Sequence, residues 1–305
     1  MPKVFIIILN WNGKKDTIEC LESIKNMEHE TWNMKPVVVD NGSADGSVNE
    51  IEKLRNLELK DLKIIANKTN LGFAEGNNVG IRYALENGAD YILFLNNDTI
   101  VDQNLVKQLL KVMEENPSVG IAGPKIYFAS GFEFHHDRYR EEDRGKVIWY
   151  AGGIIDWMNV YASHRGVDEV DHGQYNQTME TDFVSGCAMI VRCDVFKRIG
   201  LFDKKYFLYW EDNDFCQRAK KKGFKIFYYP PAFLWHKNAA SSNKPGSNIH
   251  LYYQTRNRLL FGLKYAPWKS KLALFRESIK FLFEHNICQQ AIKDFYLARF
   301  GAKHS

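Results

Sequence analysis

Four times within the first 117 residues, a short apolar run breaks off into Asn, Asp and Gly and a helical pattern follows. The runs are Val4–Leu9, Pro36–Val39, Leu62–Ala66 and Tyr91–Leu95, and the helical patterns cover about 14–27, 48–57, 72–87 and 103–115. Continuous apolar runs bounded by turn formers read as buried strands of a parallel sheet. Strand–helix alternation then calls for right-handed crossovers, with helices on both faces of the sheet. The pattern also fixes where a ligand goes, because open α/β sheets bind beyond the carboxyl ends of their strands. The polar breaks at 10–13, 40–47, 67–70 and 96–98 are therefore expected along one edge.

Beyond Asn116-Pro117 the rhythm changes. Val119–Phe128 reads as a further strand pair, Ser130–Asp143 as a polar, mobile excursion, and Lys146–Ile155 as a hairpin over the sheet edge. Val184–Val191 is a buried strand and Asp194–Ile199 a short helix. Tyr206–Trp210 leads into Glu211-Asp212-Asn213-Asp214, ahead of a helix over Phe215–Lys222 that Gly223 stops. Lys225–Tyr229 is the last strand, ending at Pro230-Pro231.

The chain has 305 residues, enough for one large domain or two. A net charge of +4 is too small to argue for a nucleic-acid partner, although Lys and Arg gather after Lys197 and between Arg256 and Lys280. Five scattered cysteines with no CxxC pair read as reduced thiols of a cytoplasmic protein. The apolar run behind Lys3 ends at Asn10, so no signal peptide is expected, and no stretch approaches the ~20 apolar residues of a transmembrane helix. GxGxxG and GxxxxGK[ST] are both absent, which weighs against dehydrogenase and phosphate-loop chemistry.

Several residues at the expected edge could do chemistry. Asp40 directly follows a strand and can accept from a base N–H, and Trp11 offers a face for a base to stack on. Taken singly, a self-folding turn and a core indole explain them better. At Asp98, capping the helix that starts near Asp102 and holding Mg²⁺ or Mn²⁺ are equally good readings. His236 could be a second metal ligand, though a histidine beside an aromatic is more often structural. Glu211, Asp212 and Asp214 complement a helix dipole, and the apolar lead-in Phe207–Trp210 argues that one carboxylate is partly buried and suited to general-base work.

The motifs taken together point further. Asn-Trp-Asn at 10–12, Asp-Asn-Gly-Ser-Ala-Asp-Gly-Ser at 40–47, and Asn-Leu-Gly-Phe-Ala-Glu-Gly-Asn-Asn-Val-Gly at 70–80 resemble the family-two inverting glycosyltransferases of GT-A fold. So do Leu-Asn-Asn-Asp-Thr at 95–99, Ser-Gly-Cys-Ala-Met-Ile-Val-Arg at 185–192, Gly-Leu-Phe-Asp at 200–203 and Tyr-Trp-Glu-Asp-Asn-Asp-Phe-Cys-Gln-Arg at 209–218. The likeness runs co-linearly over roughly 3–240 and is nearest to the rhamnosyltransferase-like branch. It implies a Rossmann-like α/β sheet, mostly parallel and flanked by helices, with a C-terminal helical extension. The catalytic domain would be 1–245, with a nucleotide-binding half at 1–117 and an acceptor-binding half at 118–245, and the extension 246–305.

By position, the resemblance implies that Trp11 and Asp40 hold the base, with Gly72, Asn77, Asn96 and Asn97 near the donor. Asp98 would bind metal and diphosphate, His236 matches a histidine often near the metal, Asp212 would be the catalytic base, and Glu211 would shape the acceptor site. The family's fuller motif has Asp where this chain has Asn96, which leaves one carboxylate in it. The implied donor is a nucleotide-diphosphate sugar, dTDP-rhamnose among the candidates, and the implied acceptor a glycan or lipid-linked hydroxyl in cell-surface polysaccharide synthesis. A nucleotidyltransferase would show a Gly-rich, Arg/Lys-bearing signature where Leu9–Gly13 has none, and a non-catalytic sugar-binding module has no need of Glu211-Asp212. In the tail, leucines and phenylalanines at helical spacing interleave with lysines. A helix pair packed on the domain is favoured over a basic amphipathic surface making a peripheral membrane contact.

Overall fold

The computed structural model describes residues 1–57, 59–238, 246–284 and 286–303. Its first third alternates as expected: β1 (Lys3–Asn10), α1 (Lys14–Lys25), β2 (Asn33–Asp40), α2 (Ser47–Leu57), β3 (Lys63–Ala66), α3 (Gly72–Glu86), β4 (Tyr91–Asn96). The short β5 (Thr99–Val101) and α4 (Leu105–Glu115) follow. The apolar runs are buried because both faces of the sheet are covered. Val4, Ile6, Ile7 and Ile8 are all fully buried, each worth roughly 1.5–3 kcal/mol relative to exposure. On α1 the inward residues Thr17, Cys20, Leu21 and Ile24 recur at the three- and four-residue spacing of one helix face.

The second part comprises β6 (Val119–Phe128), β7 (Ile148–Tyr150), β8 (Gly153–Asp156), β9 (Tyr161–His164), β10 (Met179–Glu180), β11 (Ala188–Arg192), α5 (Cys193–Ile199), α6 (Glu211–Lys221) and β12 (Lys225–His236). Then come α7 (Asn248–Tyr265), α8 (Trp268–Phe281) and α9 (Ile287–Tyr296). Among the described residues the main sheet has ten strands, with the path β10-β12-β6-β11-β4-β1-β2-β3 and with β5 on β12 and β7 on β6. β1, β2, β3 and β4 run parallel, and β11 lies antiparallel between β4 and β6. β8 and β9 form a separate hairpin.

Several expectations change. Val119–Phe128 is one strand rather than a pair, since its apolar run continues through Pro124 without a turn. The hairpin lies at β8–β9, later than Lys146–Ile155, and β7 joins the main sheet instead. Ser130–Asp143 has internal fastening: the buried Glu133 carboxylate accepts from the backbone N–H of Gly131 and Gly145 at 2.8 and 2.9 Å. The buried strand begins at Ala188, because Ser185 turns the chain by accepting from the Ala188 N–H. Glu211 and Asp212 form the first turn of α6 instead of preceding it.

The last strand does not stop at Pro230-Pro231. The register on β6 jumps from Tyr229↔Pro124 to Phe233↔Lys125, so the prolines sit in a bulge where a missing N–H breaks no ladder bond. β12 then continues to His236, which pairs with Thr99 of β5. The boundary expected at 245–246 adjoins residues 239–245, which lie outside the described residues. No described helix is long and apolar enough to cross a membrane.

Candidate functional site

The parallel register brings the strand ends level. Asn10 pairs with Asp40, and Leu9 with Asn96, so the polar breaks after β1, β2 and β4 meet at one edge. Beyond them lies a cavity of about 810 Å³ whose lining includes Trp11, Asn96, Asn97, Asp98, Asp212 and His236. Those candidates, with Gly72 and Glu211, thus converge although they are spread over more than two hundred residues of chain, whereas Asp40 and Asn77 do not line the cavity.

On the β1–β2 side the loops hold one another. The Asp40 carboxylate accepts from Asn10 Nδ2 at 2.6 Å and from the Ser43 N–H at 2.9 Å, and it is buried. Its geometry matches the self-folding turn. Trp11 is 43% exposed at the cavity wall, so its indole is open for stacking rather than part of the core. Asn97 Nδ2 points back to Thr17 Oγ1 at 3.0 Å and Asn10 Oδ1 at 3.3 Å, which fixes the backbone leading into Asp98. Asn77 is buried on α3, donates to the Phe73 carbonyl at 2.9 Å, and is absent from the cavity lining. Asn41, which was not singled out beforehand, does line it and braces the start of α3 by donating to the Gly72 carbonyl at 3.0 Å.

Gly72 is at φ +79°, and a Cβ there would sit 2.5 Å from the Phe207 ring and 2.6 Å from its carbonyl oxygen. Gly72→Ala is therefore expected to destabilise the protein by roughly 1–3 kcal/mol, through forced rearrangement and a left-handed backbone, and thermal denaturation checks it.

On the opposite side β12 delivers His236 to Asp98. Nε2 and Oδ1 are 3.0 Å apart, both residues are at least 95% buried by whole-residue exposure, and the Lys237 N–H donates to the Asp98 carbonyl at 2.9 Å. Burial works against charge on His236, but the Asp98 carboxylate and the Cys187 thiol outweigh it and raise its pKa well above the ordinary histidine value. Asp98 is thus placed as a side-chain partner of His236, and α4 begins only at Leu105 after an Asn104 cap. The Asp98 carboxylate is a hard oxygen that suits Mg²⁺ or Mn²⁺, and His236 could add a ring nitrogen only on losing the proton it shares with Asp98, a proton that metal binding would displace. Among the described residues no group of three or more His, Cys, Asp or Glu could hold a metal ion, so such an ion needs further ligands from a bound substrate or water.

The third wall is the start of α6. Asp212 Oδ2 accepts from the Gly186 N–H at 2.9 Å, and Oδ1 from the Asn213 side chain at 2.9 Å. Burial raises its pKa further than these hydrogen bonds lower it. Glu211 beside it is buried, its pKa is raised well above the ordinary value by burial and by Asp212, and among the described residues Oε2 has no hydrogen-bond partner. Asp214 is different. It is fully buried and accepts from Arg218 Nε at 2.7 Å, Lys264 Nζ at 2.6 Å and Tyr265 Oη at 2.7 Å. Burial alone would raise its pKa, but Arg218 and Lys264 pull it below the ordinary value. Its place is an ionic tie between α6 and α7, beyond what a helix-dipole role requires.

The chain reaches Asp212 through a strained lead-in: Phe207, Tyr209 and Trp210 have φ of 63°, 66° and 74°. Left-handed backbone at bulky residues persists only where the surroundings over-determine it. Here α7 does so. Asn257 Nδ2 lies within 2.8–2.9 Å of the carbonyls of Tyr206, Leu208 and Tyr209, and Arg256 Nη2 donates to those of Lys205 and Tyr206. Sequence reasoning missed this pair. The available signal was the polar run Gln254-Thr255-Arg256-Asn257-Arg258 between apolar stretches of the same helix.

The Glycosyl transferase family 2 model matches residues 5–200. The low-salt glycan biosynthesis hexosyltransferase Agl10 of Haloferax volcanii is 24% identical over 257 residues, covering 84% of this chain and 74% of that one. The dTDP-rhamnosyl transferase RfbF of Shigella flexneri is 26% identical over 265 residues, covering 84% and 79%. Among solved structures, the mannosyltransferase PcManGT of Pyrobaculum calidifontis, in complex with GDP-Man and Mn²⁺, superposes with a TM-score of 0.57 at 14% identity over 97% of this chain and 74% of that one. The expected GT-A fold is the one observed.

Proposed function

This chain belongs to glycosyl transferase family 2, and on that premise we propose that it moves a sugar from a nucleotide-diphosphate donor, dTDP-rhamnose among the candidates, to a hydroxyl of a glycan or lipid-linked acceptor, with inversion. One observation carries the reading: a single cavity has the Asp98–His236 pair on one side, Asp212 on another, and an open indole at Trp11. The donor named for RfbF and the GDP-Man and Mn²⁺ bound to PcManGT support it. Five free cysteines support a reducing, cytoplasmic setting.

In this reading the Trp11 ring stacks on the base, and Asp40, behind the cavity wall rather than in it, holds the 40–47 loop in place through Asn10 and Ser43. Gly72, Asn96 and Asn97 border the donor, and Asn77 supports α3 behind them. A divalent cation held by Asp98 and His236 would offset the charge that grows on the leaving diphosphate. Asn96 in place of a second acid leaves Asp98 as the one carboxylate of that motif. Asp212 takes the proton of the acceptor hydroxyl as that oxygen bonds to the anomeric carbon. The bond from that carbon to the diphosphate oxygen breaks on the opposite face, and the configuration inverts. Glu211, whose pKa is raised by burial and by Asp212, bounds the acceptor side next to the base.

The test is donor hydrolysis across a panel of nucleotide sugars with Mn²⁺ or Mg²⁺. Release of nucleoside diphosphate from at least one donor is the expected result. Binding without release would point to a non-catalytic module, and pyrophosphate formed from a nucleoside triphosphate and a sugar phosphate to a nucleotidyltransferase. The raised pKa of Asp212 gives a second expectation. A base works only when deprotonated, so turnover should rise with pH along a limb displaced upward from the ordinary carboxylate range. A pH–rate profile flat from pH 4 upward would contradict that role.

A further inference from the structure

α8 buries one narrow face, and among the described residues it leaves an apolar stripe exposed on another. Ser270, Leu274 and Ser278 are buried; Leu274 lies against Gly262 of α7, where no side chain intervenes. Away from that face, Trp268, Leu272, Phe275 and Ile279 are 69%, 42%, 45% and 39% exposed, and Phe283 in the turn after α8 is 79% exposed. At about 100° per residue the four helical positions fall within an arc of about 60°. They form a narrow stripe along the whole helix, unlike the scattered single apolar residues that any surface shows.

The borders of the stripe are basic. Lys269, Arg276 and Lys280 follow one side and Lys271 the other, and among the described residues none of the four makes a salt bridge. The acid on this helix, Glu277, is paired with Arg258 of α7 at 2.9 Å. An apolar stripe with an indole at its end and cations of one sign along both margins matches the interface of an anionic bilayer, with ring and alkyl groups at the acyl boundary and lysines against lipid phosphates. A second copy of the chain is a poorer occupant. Docking the stripe on itself would set basic margins against basic margins, and like charges across an interface are repulsive. The helix lies on the surface and does not span: it has 14 residues.

We propose that this protein rests on anionic membranes through the outward face of α8. The contact goes beyond the transfer reaction and does not depend on it. It has a consequence for the site, because α7, on which α8 is seated, contributes Ile249, Tyr253 and Gln254 to the cavity wall. Docking through α8 would connect that wall to the lipid surface by way of α7.

The test is co-sedimentation of the full chain with vesicles of phosphatidylcholine alone or with phosphatidylglycerol added. The chain should pellet with the anionic vesicles and weakly with the neutral ones. Phe275→Ser with Ile279→Ser should reduce partitioning at least about tenfold, and Lys271→Gln with Lys280→Gln should weaken the anionic preference roughly fivefold per residue removed. All four side chains are solvent-facing or at the margin, so melting temperature and hydrolysis of soluble donor should stay at parental values. If the serine pair melted lower, the glutamine pair would decide. The proposal is overturned if the parent stays in the supernatant, or if both variants pellet like the parent. It is also overturned if the stripe instead supports a concentration-dependent dimer that the serine pair abolishes.

Discussion

Asp212→Asn should lower turnover by about 10²–10⁴-fold, the usual contribution of a positioned general base, while leaving donor binding intact. Asn has the same shape, and its carbonyl oxygen can still accept from the Gly186 N–H, so the α6 start keeps its place. What it loses is basicity. Burial also moves the Asp212 pKa upward, which makes proton uptake from a hydroxyl more favourable. The comparison needs two readouts on one preparation: transfer or donor hydrolysis for chemistry, and calorimetric titration of the nucleoside diphosphate for binding. Retention of most of the turnover would reassign the base. Loss of binding together with turnover would mean that the substitution disturbed the cavity.

Asp214→Ala should give the largest loss of stability, about 3–5 kcal/mol, because it leaves Arg218 and Lys264 beside a buried space without their anion. Arg218 keeps its bonds to the Ile199 and Leu201 carbonyls, which limits the damage on α6, but Lys264 and Tyr265 lose this carboxylate partner. The effect should fall on the seating of α7, and urea denaturation measures it. The same residue sets a pH dependence. Its folded-state pKa lies below the ordinary 3.8, so its contribution is fully present above that value and is lost as pH falls through the lower folded value. Asp214→Ala should therefore flatten the acid limb of the stability curve.

Much of the edge was legible because period and punctuation agree. β1, β2 and β4 are apolar runs that end in Asn or Asp, and parallel pairing without a register break makes those ends coincide. The strand carrying His236 was not legible past Tyr229, since two prolines ordinarily end a strand. It continues because a bulge absorbs them and β5 supplies a second partner, and neither is a local property of the sequence. Asp40 shows the reverse. A turn rich in Asp, Asn and Ser was recognisable, and the structure gives its carboxylate two partners within that edge. The lead-in 207–210 could not have been read, because Phe, Tyr and Trp at positive φ contradict every local preference. The carbonyl contacts of Asn257 and Arg256, some fifty residues later, and the Phe73 N–H on the Phe207 carbonyl hold it there. The tail divided in the same way. Spacing led to a helix pair, whereas the third helix, α9, was not foreseen and which face of α8 is buried depends on where α7 packs.

The cavity between Trp11, Asp98 and Asp212 is the centre of this account, and ligand-induced thermal stabilisation tests it most directly. In the presence of Mn²⁺, at least one nucleotide-diphosphate sugar from a panel should raise the melting temperature. Saturation at about 100 times its Kd would correspond to about 2.7 kcal/mol. The same donor should give little shift with Asp98→Ala. A panel in which no nucleotide sugar moves the melting temperature of the parent chain, with or without the cation, would contradict the account.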